Sequence, residues 1–288
     1  MLDIWEVAAI AAKVLLYTSL SGATGLVLVR IVFVAHVTSL ERRLRSFALV
    51  LTGVAFAATT FSFLLRGAAL TGDVSGMADP EMLGLLWTTS VGDVLFYRLI
   101  GIALLFVGLF IPKVGVWVTL TGSLIALWSF AQIGHIPELD QTGIRLLLLL
   151  HLIGISFWIG ILAPLRWLAR DPEKLAAAAD LGHRFGVMAS GVVLVLVLAG
   201  GLMAWLILGS ISLIFSTTYG VTLVGKVALV ALLLGLAAAN KFRFIPAMQG
   251  GDHAAAKHLV RSVEIETFVI TAVLGVTATL TSVLALPM

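Results

Sequence analysis

The chain has 288 residues, 60% hydrophobic and 11% charged, with a mean hydropathy of +1.13; soluble domains carry roughly 25% charged residues. A soluble fold is excluded, and apolar runs without period-two alternation exclude a membrane barrel, which leaves an all-α polytopic membrane bundle. The absence of cysteine excludes disulfides, thiolate metal sites and cysteine nucleophiles, and the net charge of +3 is read as membrane orientation rather than nucleic-acid binding.

Met1–Glu6 has no basic stretch, and the apolar run after it is too long for a signal peptide, so it reads as a retained helix. Runs reaching the ~20 residues that a bilayer requires predict eight spans, about 7–34, 46–70, 92–111, 114–134, 143–168, 184–209, 219–240 and 262–285. Between the second and third, Pro80–Trp87 predicts a short interfacial helix. Asp171-Pro172-Glu173 has the pattern of a helix start, which predicts a surface helix over 172–181. No linker or composition break divides the chain, so 1–288 reads as a single transmembrane domain in the lipid bilayer.

Thirteen of the eighteen basic residues fall in 30–45, 112–113, 166–184 and 241–261. The positive-inside rule makes that side cytoplasmic and puts both termini outside. Asp3, Glu6, Asp73, Asp79, Glu81, Asp93, Glu138 and Asp140 then face outward, as a cation-concentrating vestibule or as a solvated face. Short matches suggest a parallel four-plus-four repeat. Ser21/Gly25 in span one parallels Ser156/Gly160 in span five, and Arg98 and Lys226 each follow a glycine by six residues in spans three and seven.

Gly134–Gly160 concentrates the unusual chemistry: the Gly134-His135 pair, an acidic turn with Glu138 and Asp140, then an apolar helix holding His151 and Trp158. His151 follows the helix start near Ile144 by seven residues, ~10 Å along the axis. Imidazole is too short to snorkel, and an ionisable group at that depth reads by default as a functional site, the alternative being a neutral histidine bonded to a backbone carbonyl or hydroxyl. Lys13, Arg66, Arg98, Lys226 and Met203 share this outer layer, as snorkelling side chains or as the lining of an outward-opening pocket. Imidazole with thioether and no thiolate suits copper. The expected ligands are His135 and His151, with Met203 and Met77 as soft ligands. Trp158, Arg98, Lys226, Glu6 and Asp93 are expected around them, for charge balance and shape.

Other constellations lead nowhere. Gly220–Lys226 imitates a phosphate loop, but Val227 stands where Ser or Thr is needed. No HExxH, GxSxG or paired catalytic carboxylates occur in a suitable setting, so the chain is not read as an enzyme. His253 and His258 read as solvated loop, Glu264 and Glu266 as ion-pair partners of Lys241, Arg243 or Arg261, and Asn240 as a helix–helix contact.

The order Gly134-His135, Leu150-His151, Trp158-Ile159-Gly160, Thr218-Tyr219-Gly220 with Lys226, Asn240-Lys241-Phe242-Arg243 and Arg261-Ser262-Val263 with Glu266 resembles the CopD/PcoD-type copper resistance proteins. The likeness covers essentially the whole chain and is strongest from about 130 to 285. It implies an eight-span protein of the bacterial inner membrane that moves copper from the periplasm toward the cytoplasm, beside a periplasmic copper-binding partner. It also carries the family's histidines onto His135 and His151. With no ATP-binding element in view, such a protein is a channel or secondary carrier. Two rival readings stay open. One is a haem b electron-transfer protein, with His pairs (His36 and His183 as a second pair) as axial ligands and the outer Lys and Arg on propionates. The other is a non-transporting partner of a periplasmic copper-binding protein.

Overall fold

The computed structural model describes residues 3–132, 142–210 and 212–284. Among them there is no strand. Eight principal helices run through it: α1 (Ile4–Val32), α2 (Glu41–Thr71), α3 (Ser90–Gly108), α4 (Gly115–Trp128), α5 (Thr142–Ala169), α6 (Leu175–Leu208), α7 (Thr218–Ala239) and α8 (His253–Ser282). Seven of the described helical stretches are long and apolar enough to cross a membrane. The remaining expected span, α4 with its 3-10 extension, is a shorter apolar helix over Gly115–Ala131. The chain is a multi-pass helical membrane protein.

The helix ends follow local chemistry. Asp3 and Glu6 close a reciprocal cap on α1: Asp3 Oδ1 accepts from Glu6 N (2.7 Å) and Glu6 Oε2 accepts from Asp3 N (2.9 Å). Asp79 caps Pro80–Trp87, a short helix where the sequence predicts one. Gly72 (φ 73°) and Gly209 (φ 66°) stop α2 and α6 in the left-handed region.

Two expectations are corrected here. Residues 172–181 are not a separate surface helix: after one 3-10 turn (Pro172–Lys174) the chain enters α6 and continues unbroken to Leu208. No proline interrupts Leu175–Leu208, and Gly182 lets Ile245 pack close, so nothing stops the helix. His253 and His258 do not lie in a loop but in the opening turns of α8. Asp252 accepts from Ala254 N (2.7 Å), and the alanines that follow favour helix.

α1 is the most deeply buried span and packs on α2, α4, α5 and α8. Its crossing with α5 is as close as two backbones can come. A Cβ on Gly25 would lie 2.0 Å from Ser156 O, and one on Gly160 would lie 2.1 Å from the Gly25 carbonyl carbon. In a bilayer the attraction between helices comes from such close packing, since lipid is as apolar as leucine. Gly101 and Gly122 repeat the device between α3 and α4. The pairings α1–α2, α3–α4 and α1–α4 recur as α5–α6, α7–α8 and α5–α8, while the α2–α3 contact has no counterpart of similar extent between α6 and α7.

Ion pairs gather at the basic ends. Arg30 binds Glu41 (2.5 Å), Arg166 and Arg170 both bind Glu264 (2.8 and 2.6 Å), and His36 Nε2 lies 3.0 Å from Asp180 Oδ2. Lys174 pairs with Asp171 at 2.9 Å and holds its carboxyl below the usual carboxylate range.

The α1–α5 crossing sets a stability test. Gly25→Val is expected to destabilise the folded protein by at least about 3 kcal/mol, because the obstacle is backbone. Gly53→Ala, where a Cβ meets open space, should be neutral or stabilising by up to about 1 kcal/mol. Thermal unfolding in detergent measures both.

Candidate functional site

The outer polar layer expected from the sequence resolves into two separate clusters. The first lies in the N-terminal half. Lys13 on α1 donates to Thr281 O (2.7 Å), and Tyr17, one turn further, shares a hydrogen bond with Thr281 Oγ1 (3.1 Å). Arg98 on α3 is buried at 8% exposure, donates from Nε to Ser129 Oγ (2.9 Å) and stacks over Phe130 (4.6 Å). Lys13, Arg66 and Arg98 are close enough to repel one another, and among the described residues no carboxylate pairs with any of them. Arg98 therefore belongs to this group.

The second cluster holds His151. Its ring lies between α5 and α6, with Gly200 opposite, where a Cβ would lie 3.4 Å from His151 Cε1. Nδ1 is buried and has no hydrogen-bond partner. A buried imidazole nitrogen in that state has a free donor or ligand position, which native structures leave open only for a reason. Lys226 on α7 is the electrostatic neighbour of His151. Met203, buried at 8%, lies one turn beyond Gly200 on the same helical face of α6.

The other expected site residues fall elsewhere. His135 lies outside the described residues, as do Glu138 and Asp140. Met77 ends a 3-10 turn (Val74–Met77) whose main neighbours are α2 and Pro80–Trp87, so nothing described brings it to His151. Glu6 is taken up by the α1 cap, and Asp93 is exposed in the first turn of α3. Among the described residues no three His, Asp or Glu side chains converge as a metal site. Of the other expected imidazole pair, His36 Nε2 lies 3.0 Å from Asp180 Oδ2 and His183 is exposed.

Trp158 is held from α8. Its Nε1 donates to Glu266 Oε2 at 3.1 Å. Glu266 also accepts from Asn240 Nδ2. The expectation that Glu266 would pair with Lys241, Arg243 or Arg261 is thus corrected. Glu264 does bind cations, but they are Arg166 and Arg170 of α5, whereas Lys241 donates to Ser190 Oγ (2.5 Å). The reason is rotation: Glu264 and Glu266 are two residues apart, so they project from different sides of α8. One meets the surface of α5 and the other the interior. Asn240 was expected as a helix–helix contact, and it joins α7 to α8 through Glu266. The Trp158–Glu266–Asn240 unit and the Tyr17, Ser129 and Thr281 contacts were not legible as sites. The only signals were polar residues standing in apolar runs.

Comparison with known proteins agrees with this fold. The family model for the copper resistance protein D-like N-terminal domain matches residues 1–137, and that for copper resistance protein D matches 179–280. The class is thus a polytopic membrane protein related to copper resistance. The chain belongs to the copper resistance protein D family. It is 32% identical over 169 residues to copper resistance protein D of Pseudomonas syringae pv. tomato, a match spanning 54% of each chain, so it covers about half the length of that curated relative. No solved structure matches. His151 and Trp158 fall between the two family-matched stretches, and His135 falls within the first.

The basic cluster gives a contrast between two substitutions. Ser129→Ala leaves the buried Arg98 Nε–H without its acceptor and is expected to cost about 1–3 kcal/mol. Arg98→Met removes that donor together with its repulsion of Lys13 and Arg66, and should leave the melting temperature unchanged or raise it. Thermal unfolding of the two variants in detergent decides this.

Proposed function

We propose that this protein binds copper at an outward-facing site containing His151 and passes it across the bacterial inner membrane toward the cytoplasm, as a channel or secondary carrier. The observation that carries this reading is the buried, unpartnered Nδ1 of His151, in a chain of the copper resistance protein D family. Met203 supplies a thioether on the neighbouring helix, a donor that Cu(I) prefers. His135 is the second imidazole and Met77 a further thioether toward the outer face. Lys226 opposes a cation at this place, so the site favours a copper ion that arrives with anionic ligands or leaves quickly. Delivery by a periplasmic copper-binding protein fits the acidic outward segments, Asp73, Asp79 and Glu81 among them.

The test is metal content and visible spectrum of the purified protein, wild type against His151→Ala and His135→Ala. Near-stoichiometric copper in the wild type, with affinity reduced more than about 10-fold in each variant and no Soret band, is expected. A Soret band lost with the same variants would replace copper by haem b. Copper bound normally by His151→Ala would overturn the site, and unchanged cellular copper accumulation would overturn transport in favour of a scaffolding role.

The position of Gly200 allows a second check. Gly200→Leu places a side chain against the His151 ring and is expected to lower copper content as His151→Ala does. Gly201→Ala, where a Cβ meets open space, should bind as the wild type.

A further inference from the structure

Only two charged side chains among the described residues are buried, Arg98 at 8% and Glu266 at 3% exposure. Arg98 has its hydroxyl and its aromatic face. Among the described residues no cation is bound to Glu266. Its Oε2 accepts from the Trp158 indole at 3.1 Å and its Oε1 accepts from the Asn240 amide, two neutral donors from α5 and from the end of α7. An ionisable group within a membrane helix, without a counter-charge, marks a functional site by default.

The surroundings confirm that no charge is held in reserve for it. On α8 itself Glu264 is engaged by Arg166 and Arg170 of α5, and Arg261, Lys257, His253 and His258 lie in the preceding turns. On the turn after α7, Lys241 donates to Ser190 and Arg243 lies over Phe244. On α1, Arg30 is bound to Glu41 and Lys13 to Thr281. On α5, Arg145 and His151 belong to the opposite, outer end, and Lys226 of α7 neighbours His151. The short helix Ile245–Gln249 carries no charge. None of these groups bonds to Glu266.

Two further observations turn an isolated carboxyl into a site. Asn240 Oδ1 is buried and has no partner. Asn240 also opens a π-helical turn, Asn240–Phe244, where the backbone departs from the regular ladder; such turns concentrate at functional positions. The unpartnered amide oxygen is what an acid form of Glu266 requires. A carboxylate accepts from Asn240 Nδ2. A carboxylic acid donates its proton, and rotation of the Asn240 amide by half a turn presents Oδ1 to receive it. Trp158 can donate to either form, and more strongly to the carboxylate. The same three side chains therefore satisfy Glu266 with or without its proton.

We propose that Glu266, Asn240 and Trp158 form a proton-binding site in the cytoplasmic half of the bundle. The carboxylate takes a proton from hydronium on the cytoplasmic side, forming one O–H bond and releasing water, and returns it by the reverse step. Glu264 and its two arginines, about 3 Å away along the helix axis, mark the interface through which that proton comes. The site requires no assumption about the cargo.

The experiment is infrared difference spectroscopy of the full chain in lipid nanodiscs, free of copper, between acid and alkaline pH. A carboxylic C=O band that bleaches as pH rises is expected in the wild type and absent in Glu266→Gln. No difference between the two proteins over about pH 4 to 10 would overturn the proposal. Should Glu266→Gln fail to fold, Trp158→Phe keeps the carboxyl and removes one donor. It is expected to displace the midpoint of the band by about one pH unit, a tenfold change in proton affinity, and an unmoved midpoint would overturn the site.

Discussion

Two glycines facing each other, Gly25 on α1 and Gly160 on α5, bring the backbones of the two halves of the chain into contact with no side chain between them. That approach depends on the absence of both Cβ atoms. It draws α1 into the middle of the bundle, where α2, α4, α5 and α8 close around it. Lipid offers no hydrophobic penalty against separated apolar helices, so contact of this kind has to supply the attraction. Leu16, Leu20, Ala23, Leu26 and Val27 of α1 are almost fully buried as a result.

Once α1 is fixed, the polar residues sort themselves by which partner each can reach. Lys13 and Tyr17 turn toward Thr281 of α8, and Arg98 turns toward Ser129 and Phe130. His151 is left on the other flank, between α5 and α6, with Lys226 as its neighbour. Residues at similar depth are thus held by different partners on different helices. Deeper in the bundle, Trp158 and Asn240 close on Glu266, while Glu264 stays at the ion-paired surface. Polar chemistry accordingly occurs at three levels: a basic outer cluster, an imidazole with a free nitrogen, and a carboxyl held by neutral donors.

Much of this was legible in the sequence, because bilayer thickness and the positive-inside rule act on composition alone. The helical class, the short helix at Pro80–Trp87 and the family followed from apolar runs, proline and glycine placement and ordered short motifs. The expected loop at His253 and the separate helix at 172–181 failed for one shared reason. Polar or charged residues beside a membrane were read as a break, although no residue there stops a helix. His135, central to the sequence reading, lies outside the described residues.

Spacing along a single helix tells which residues share a face, but not which neighbour that face meets. Sequence alone determined that His151, Arg98, Lys226 and Glu266 lie within apolar spans, since a run of ~20 apolar residues has one stable fate in lipid. Only the tertiary structure decided that Arg98 joins Lys13 and Arg66, that His151 keeps an unpartnered nitrogen, and that Glu266 meets an indole and an amide instead of a cation. Those outcomes depend on helix rotation and on the glycine crossing that sets it, and both are properties of packed pairs of helices.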